Sequence, residues 1–199
     1  MAQKSENNNL NTKPSIDTIC KAAKIASKKL QLLKTDEKNA ALEKIKQALI
    51  KHTDSILKAN ELDLLEGKKN KLSLALLDRL TLSKDRLKNI FDMLDSLQHA
   101  NDPTESIVSG WQMPNGLSIK QIRVPLGVIG IIYEARPNVT VDTAALCIKS
   151  GNSIVLRGSS SAYHSNLALV QAMKEGLNKS AIPSDCIGLI HDTSRIIFI

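Results

Sequence analysis

Aromatic side chains are scarce in this sequence: one tryptophan, two tyrosines and two phenylalanines in 199 residues. In residues 1–100 the only aromatic is Phe91, so a stacking platform for single-stranded nucleic acid is absent from that half. Cysteine is equally thin. Cys20, Cys147 and Cys186 are odd in number and widely spaced, with no Cys-x-x-Cys or Cys/His cluster, which argues against a disulfide framework and against a zinc site. A reducing cytoplasm is the compartment that fits. Long apolar runs are missing too, since none approaches the ~18 residues a membrane-spanning helix needs. The opening MAQKSENNNLNTKPS is polar and lacks the apolar centre of a signal peptide. The reading is a soluble protein with no membrane partner and no metal.

What is present is apolar enough, at 42%, to bury a sizeable core, though 199 residues are few for two complete domains. The net charge of +7 is uneven: residues 1–100 hold 19 Lys/Arg against 13 Asp/Glu, and residues 101–199 hold 8 against 7. In the first half the lysines alternate with acids at helical spacing. That pattern is a solvated helical face rather than a basic patch, and no nucleic-acid partner is expected.

The chain divides by period. Residues 1–13 are polar and read as a disordered tail. Across 14–105 the spacing is helical. Ile16, Ile19, Cys20, Ala23, Ala26, Leu30 and Leu33 mark one helix, and a second starts at Thr35, whose hydroxyl is placed to cap it, and runs through Ile56. Leu62 to Asn70 reads as a loosening with a turn at Gly67, and Leu72–His99 as a third helical stretch broken near Thr81–Ser83. Over 106–124 two runs flank Pro114-Asn115-Gly116, and Asn-Gly between such runs predicts a projecting β-hairpin. Residues 125–199 then alternate: strand Val128–Tyr133, helix Val139–Lys149, strand Ser153–Leu156, helix Ala162–Leu177 and strand Ile187–Ile190. The fold class is therefore α/β, with a helical N-terminal segment, a hairpin and an incomplete doubly wound parallel sheet.

Ligands of open α/β sheets gather at the carboxyl ends of the strands. Glu134-Ala135-Arg136-Pro137-Asn138 follows the first strand and Arg157-Gly158-Ser159-Ser160-Ser161 the second. Each offers an arginine, small or hydroxyl residues and the start of a helix, a combination that suits a phosphate. Plainer uses exist for each. Asn138 suits a helix cap, Arg157 a surface position, Glu134 and Arg136 an ion pair with each other, and the serines a cap and turn.

The segment PLGVIGIIYEARPNVTVDTAALCIKSGNSIVLRGSSSAYHSN, Pro125–Asn166, resembles the γ-glutamyl phosphate reductase family, the proline-biosynthesis branch of the aldehyde dehydrogenase superfamily. YEARPN and GN-x-x-x-LRG carry the likeness, and LLDRLTLSKDRLKNI and the hairpin fit it, up to about Arg195. The resemblance implies reduction of L-glutamyl 5-phosphate to L-glutamate 5-semialdehyde and phosphate with NADPH, in a protein that forms homo-oligomers through the hairpin when complete. It implies that Asn138 supports the developing oxyanion and that Glu134, Arg136 and Asn138 meet the substrate. Arg157, Gly158, Ser159 and Ser160 would line the cofactor pocket, with Ile131, Ile132 and Tyr133 contributing backbone. The family's nucleophilic cysteine belongs to a second domain that follows the cofactor domain, and none of Cys20, Cys147 and Cys186 matches it. The chain is accordingly expected to be a truncated, inactive form without the catalytic domain; the alternative is a non-catalytic remnant that binds nucleotide or associates with another subunit.

Overall fold

A computed structural model describes residues 14–104 and 106–193. The expected disordered tail over 1–13 and the apolar terminus Ile196–Ile199 lie outside the described residues.

Five helices come first: α1 (Ile16–Leu30), α2 (Thr35–Lys51), α3 (Thr53–Lys69), α4 (Leu74–Leu80) and α5 (Lys84–His99). Ser15, Ser73 and Ser83 cap α1, α4 and α5 by accepting from the backbone N–H three residues on. Three boundary expectations need correction. The helix expected from Thr35 through Ile56 is divided at His52, which leaves helical geometry while its imidazole meets the Glu175 carboxylate at 2.6 Å. Thr35 does not cap α2; Lys34 is the cap position, and the Thr35 hydroxyl donates to Asp102 instead. The turn expected at Gly67 falls four residues later. There Lys71 adopts a left-handed φ of 56°, and the N–H groups of Lys71 and Leu72 close onto the carbonyls of Lys68 and Gly67. Gly67 lies inside α3, and glycine suits the position since a Cβ there would press on Leu72 and Leu77 at 3.0 Å.

The hairpin is as the Asn-Gly signal predicts. β1 (Ile107–Gln112) pairs antiparallel with β2 (Ser118–Ile122) as a two-stranded sheet of its own, and Gly116 takes φ 88° in the turn. All of β1 is exposed, and Ile119 alone is partly covered in β2.

The remaining elements are β3 (Val128–Ile132), α6 (Pro137–Lys149), β4 (Ser153–Arg157), α7 (Tyr163–Leu177) and β5 (Ile187–Leu189). They build a parallel sheet in the order β3-β4-β5. Two right-handed crossovers advancing in one direction put both connecting helices on one face, so the other face needs a cover from elsewhere. α1 supplies it. Ala23, Ile16 and Ile19 pack with Val155, Ile190 and Val128 on that side, while Ile154, Leu156, Ile187 and Leu189 face the main core with α2, α5, α6 and α7. Gly188 sits under α1 because a Cβ there would lie 2.5 Å from Ile19. α2 and α7 cross in similar fashion at Gly176, whose Cβ would meet the Lys44 carbonyl at 2.5 Å. At the C-terminus of α6, Gly151 (φ 75°) and Asn152 return hydrogen bonds to Ile148 and Cys147, the left-handed cap that the Gly-Asn pair predicts.

One charged cluster is interior. Lys38 is only 2% exposed and meets Asp102 at 2.5 Å and Thr104 at 3.0 Å, while Lys149 donates to Asn39 and to the Gln98 carbonyl. These bonds tie the start of α2 and the end of α6 to the loop that leads from α5 into the hairpin.

Candidate active site

Because β3, β4 and β5 are parallel, the segments after them emerge at one edge of the sheet. After β3, the Arg136 N–H donates back to the Glu134 carbonyl, and Pro137 opens α6 at the position where a missing N–H costs nothing. Asn138 follows in the first turn. It is not the cap of α6, since that position is Arg136, which makes no side-chain cap bond. Its amide Nδ2 donates to Asp142 Oδ2 at 3.0 Å, which fixes the side chain of an exposed residue and leaves its second amide N–H without a partner among the described residues. Burial lifts the Asp142 carboxyl above its ordinary value, partly offset by the Asn138 bond. Glu134 and Arg136 are both exposed and form no ion pair with each other.

Asn138, Arg136 and Asp142 form one wall of a cleft of about 440 Å³. The opposite wall is the turn between α4 and α5, with Arg79, Arg86 and Asn89. Arg86 is a fixture of that turn: its guanidinium donates to the Thr81 carbonyl at 2.8 Å, to the Asp78 carbonyl, and to the Asp78 carboxylate at 2.7 Å. The side chains of Arg79 and Arg136 make no hydrogen bond or ion pair with the described residues. Sequence reasoning found Arg136 and Asn138 but missed Arg79, Arg86 and Asn89. The signal was in the quoted LLDRLTLSKDRLKNI, where two arginines flank a helix break, but nothing local says which strand end that break will face.

The strand-end residues proposed for a cofactor separate by face. Ile132 lies in register with Arg157, on the α1 side of the sheet, where Gly130 has open space above it and Ile132 is 63% exposed. Tyr133 and Ile131 project to the other side. Tyr133 is partly buried there with its hydroxyl 2.6 Å from Thr140, which donates on to Asn166, and burial pushes its phenol up to about 12. Gly158 is closed over this network, since a Cβ would fall 2.2 Å from the Asn166 amide. Arg157 is half-buried and donates to the Thr193 carbonyl at 2.5 Å, tying the end of β4 to the segment after β5. Ser159 accepts from the Ser161 N–H and caps a short 3-10 turn, while Ser160 is exposed.

One expectation at this edge fails. The start of α7 does not offer open N–H groups to a phosphate, because the Asp63 carboxylate from α3 takes the N–H of His164 at 3.1 Å and of Ser165 at 2.8 Å, and the Ser165 hydroxyl at 2.5 Å. A phosphate there would compete with a carboxylate that is itself buried, 1% exposed.

The thiols stand apart from the cleft. Burial raises Cys147 to about 11 and Cys186 to about 12. Cys20 is exposed on α1, across the sheet from α6. Among the described residues no group of three or more His, Cys, Asp or Glu is placed to hold a metal ion, and no helix is long and apolar enough to cross a membrane.

A profile of the Aldehyde dehydrogenase family matches residues 4–195. The chain is 57% identical over 170 residues to a γ-glutamyl phosphate reductase of Geobacillus sp. (strain WCH70), covering 85% of this chain and 41% of that protein, and 52% identical over 181 residues to one of Anoxybacillus flavithermus, covering 90% and 44%. Among solved structures it resembles the γ-glutamyl phosphate reductase of Thermotoga maritima (TM-score 0.87, 38% identity, 89% of this chain and 43% of that one). The reductase of Saccharomyces cerevisiae is similar as well (TM-score 0.85, 26% identity, 92% and 48%). The chain thus spans less than half the length of the relatives it matches.

Proposed function

The chain belongs to the aldehyde dehydrogenase family, and from that premise we propose that it is the cofactor-side portion of an NADPH-dependent reductase acting on L-glutamyl 5-phosphate, giving L-glutamate 5-semialdehyde and phosphate. The observation that carries the reading is the placement of Asn138 and Arg157 at one edge of the parallel sheet, the first at the mouth of a polar cleft and the second beside open apolar surface.

The residues fit a nicotinamide dinucleotide on the α1 side of that edge. Gly130 and Ile132 leave room for a flat group, and the Arg157 guanidinium next to them suits an added 2′-phosphate. Ser159 and Ser160 follow on the same loop. The N-terminus of α7 is not its pyrophosphate site, being closed by Asp63. When bound, the cofactor supplies hydride. Asn138 contributes a donor already oriented by Asp142, and such a donor stabilises an oxyanion because it needs no reorganisation as charge develops. Arg136, exposed on the same turn, lines the cleft with that donor, and Glu134 is exposed two residues before it.

In domain terms, 14–105 and the unit starting at 125 together make the cofactor side, and 106–124 is the association element. None of the three thiols is suited to be the nucleophile, so these 199 residues alone are expected to bind cofactor without turning over. Two measurements test the reading. Isothermal titration of the chain with NADPH and NADH should favour NADPH, and Arg157→Ala should remove that preference; equal weakening of both cofactors would contradict it. Joining the chain to the remaining segment of the Geobacillus reductase should restore glutamyl-phosphate-dependent NADPH oxidation, with Asn138→Ala lowering kcat about 100-fold.

A further inference from the structure

The cleft between the α4–α5 turn and the start of α6 has two cationic side chains that find no partner among the described residues. Three guanidinium groups line it, with two carboxylates. Asp78 is taken up by Arg86, and Asp142 by the Asn138 amide. Arg79, from the last turn of α4, and Arg136, at the cap position of α6, remain with no hydrogen bond or ion pair to a described residue. A helix C-terminal arginine without an ion-pair partner is common. Arg79 and Arg136 on opposite walls of one cleft, with the Asn138 amide on the wall of Arg136, form a receptor for an oxyanion, since a guanidinium forks onto a carboxylate or phosphate with two parallel bonds.

The turn that carries Arg79 is also built to hold still. Asn60 is 1% exposed; its amide donates to the Leu80 carbonyl at 2.8 Å and its carbonyl oxygen accepts from the Leu82 N–H at 2.8 Å, so the backbone on both sides of Thr81 is pinned from α3. Arg86 closes the same turn from α5 through the Thr81 and Asp78 carbonyls. Such support around an exposed arginine is what a recognition residue needs and a solvated surface residue does not.

We propose that Arg79 and Arg136 form the oxyanion-recognition subsite of the acyl substrate, selecting acidic over neutral acyl groups, with Arg86 and Asn60 as positioning residues. The proposal rests on the reductase reading for the identity of the substrate, but the binding it describes does not. Two groups of the same chemistry can occupy the subsite, a carboxylate on the acyl tail or the phosphate.

The test is an NMR titration of ¹⁵N-labelled chain with glutarate, with inorganic phosphate and with glutaramide as the neutral control, read at the Asn138 amide and at the arginine Nε–H groups. Glutarate and phosphate should shift these signals and glutaramide should not. Stronger binding of glutarate assigns the subsite to the carboxylate tail, and stronger binding of phosphate to the leaving group. Arg79→Ala and Arg136→Ala should each weaken the preferred anion about tenfold, with Arg79→Lys intermediate because it keeps charge but not the fork. Both arginines are exposed, so circular dichroism melts should match wild type. Glutaramide binding as tightly as glutarate, or affinities unchanged in both alanine variants, would overturn the proposal. Failure of the reductase reading would appear instead as absent cofactor binding or hydride transfer, with the anion titration unaltered.

Discussion

Asp102 shows how one residue couples charge to fold. Burial opposes its ionisation, yet hydrogen bonds from Lys38, Thr104 and Thr35 outweigh it and hold the carboxyl down at about 2. A carboxyl depressed in the folded state contributes stability that is fully present above its unfolded value near 4 and is lost as pH falls through the folded value. Asp102→Asn strands Lys38 and should cost about 3 kcal/mol at neutral pH. The gap between wild type and variant in urea denaturation should stay constant down to about pH 4 and narrow toward pH 2. A gap independent of pH would show that the pair is not ionic in the way drawn. Gly158 gives a second residue-scale expectation. A methyl group there collides with the Asn166 amide, so Gly158→Ala should destabilise by about 1–3 kcal/mol and shift the Tyr133 fluorescence as its bond to Thr140 loosens.

At the scale of elements, two joints decide how the sheet edge is presented. α7 begins where Asp63 tells it to: three donors at its N-terminus converge on a carboxylate that belongs to α3. Asp63→Ala leaves those donors buried and unmet, and should cost about 2–3 kcal/mol in chemical denaturation, whereas Ser165→Ala removes one donor and should cost less. The crossing of α2 and α7 at Gly176 is tighter still, because the atoms a Cβ would meet are the backbone of Lys44 and Ile45 and cannot rotate away. Gly176→Ala should destabilise by about 3 kcal/mol, and a near-neutral result by thermal melting would mean that the helices separate easily. The three parallel strands, the hairpin and the break between α4 and α5 were all legible in the sequence. The division at His52 was not, because the Glu175 that holds His52 lies on α7, more than a hundred residues along the chain.

For the whole molecule the hairpin is the feature left unfinished. Ile107, Val108, Trp111 and Leu117 are each more than half exposed, and the ribbon pairs with no third strand among the described residues. A two-stranded ribbon of this kind is marginal alone, and its open edge invites pairing. As an association element it should drive dimer formation in the chain joined to the rest of a relative, with Trp111→Asp combined with Ile119→Asp giving monomers in light scattering. A dimer that survives both substitutions would sink this assignment.

The sequence by itself determined which regions are helical and which extended, though not the joint of α2 and α3, because helix period, Asn-Gly, Pro at the start of α6 and Gly-Asn at its end act within a few residues of where they stand. It also marked Asn138 and Arg157, since strand ends are local and parallel topology follows from the order of elements. Only the tertiary structure decided that the start of α7 is closed, that Ile132 and Arg157 share one face while Tyr133 turns to the other, and that Arg79 comes to lie across a cleft from Arg136. Each of these depends on α1, α3 or α4 docking against elements far along the chain; the helical period shows which face of a helix is apolar but not which distant element that face will cover.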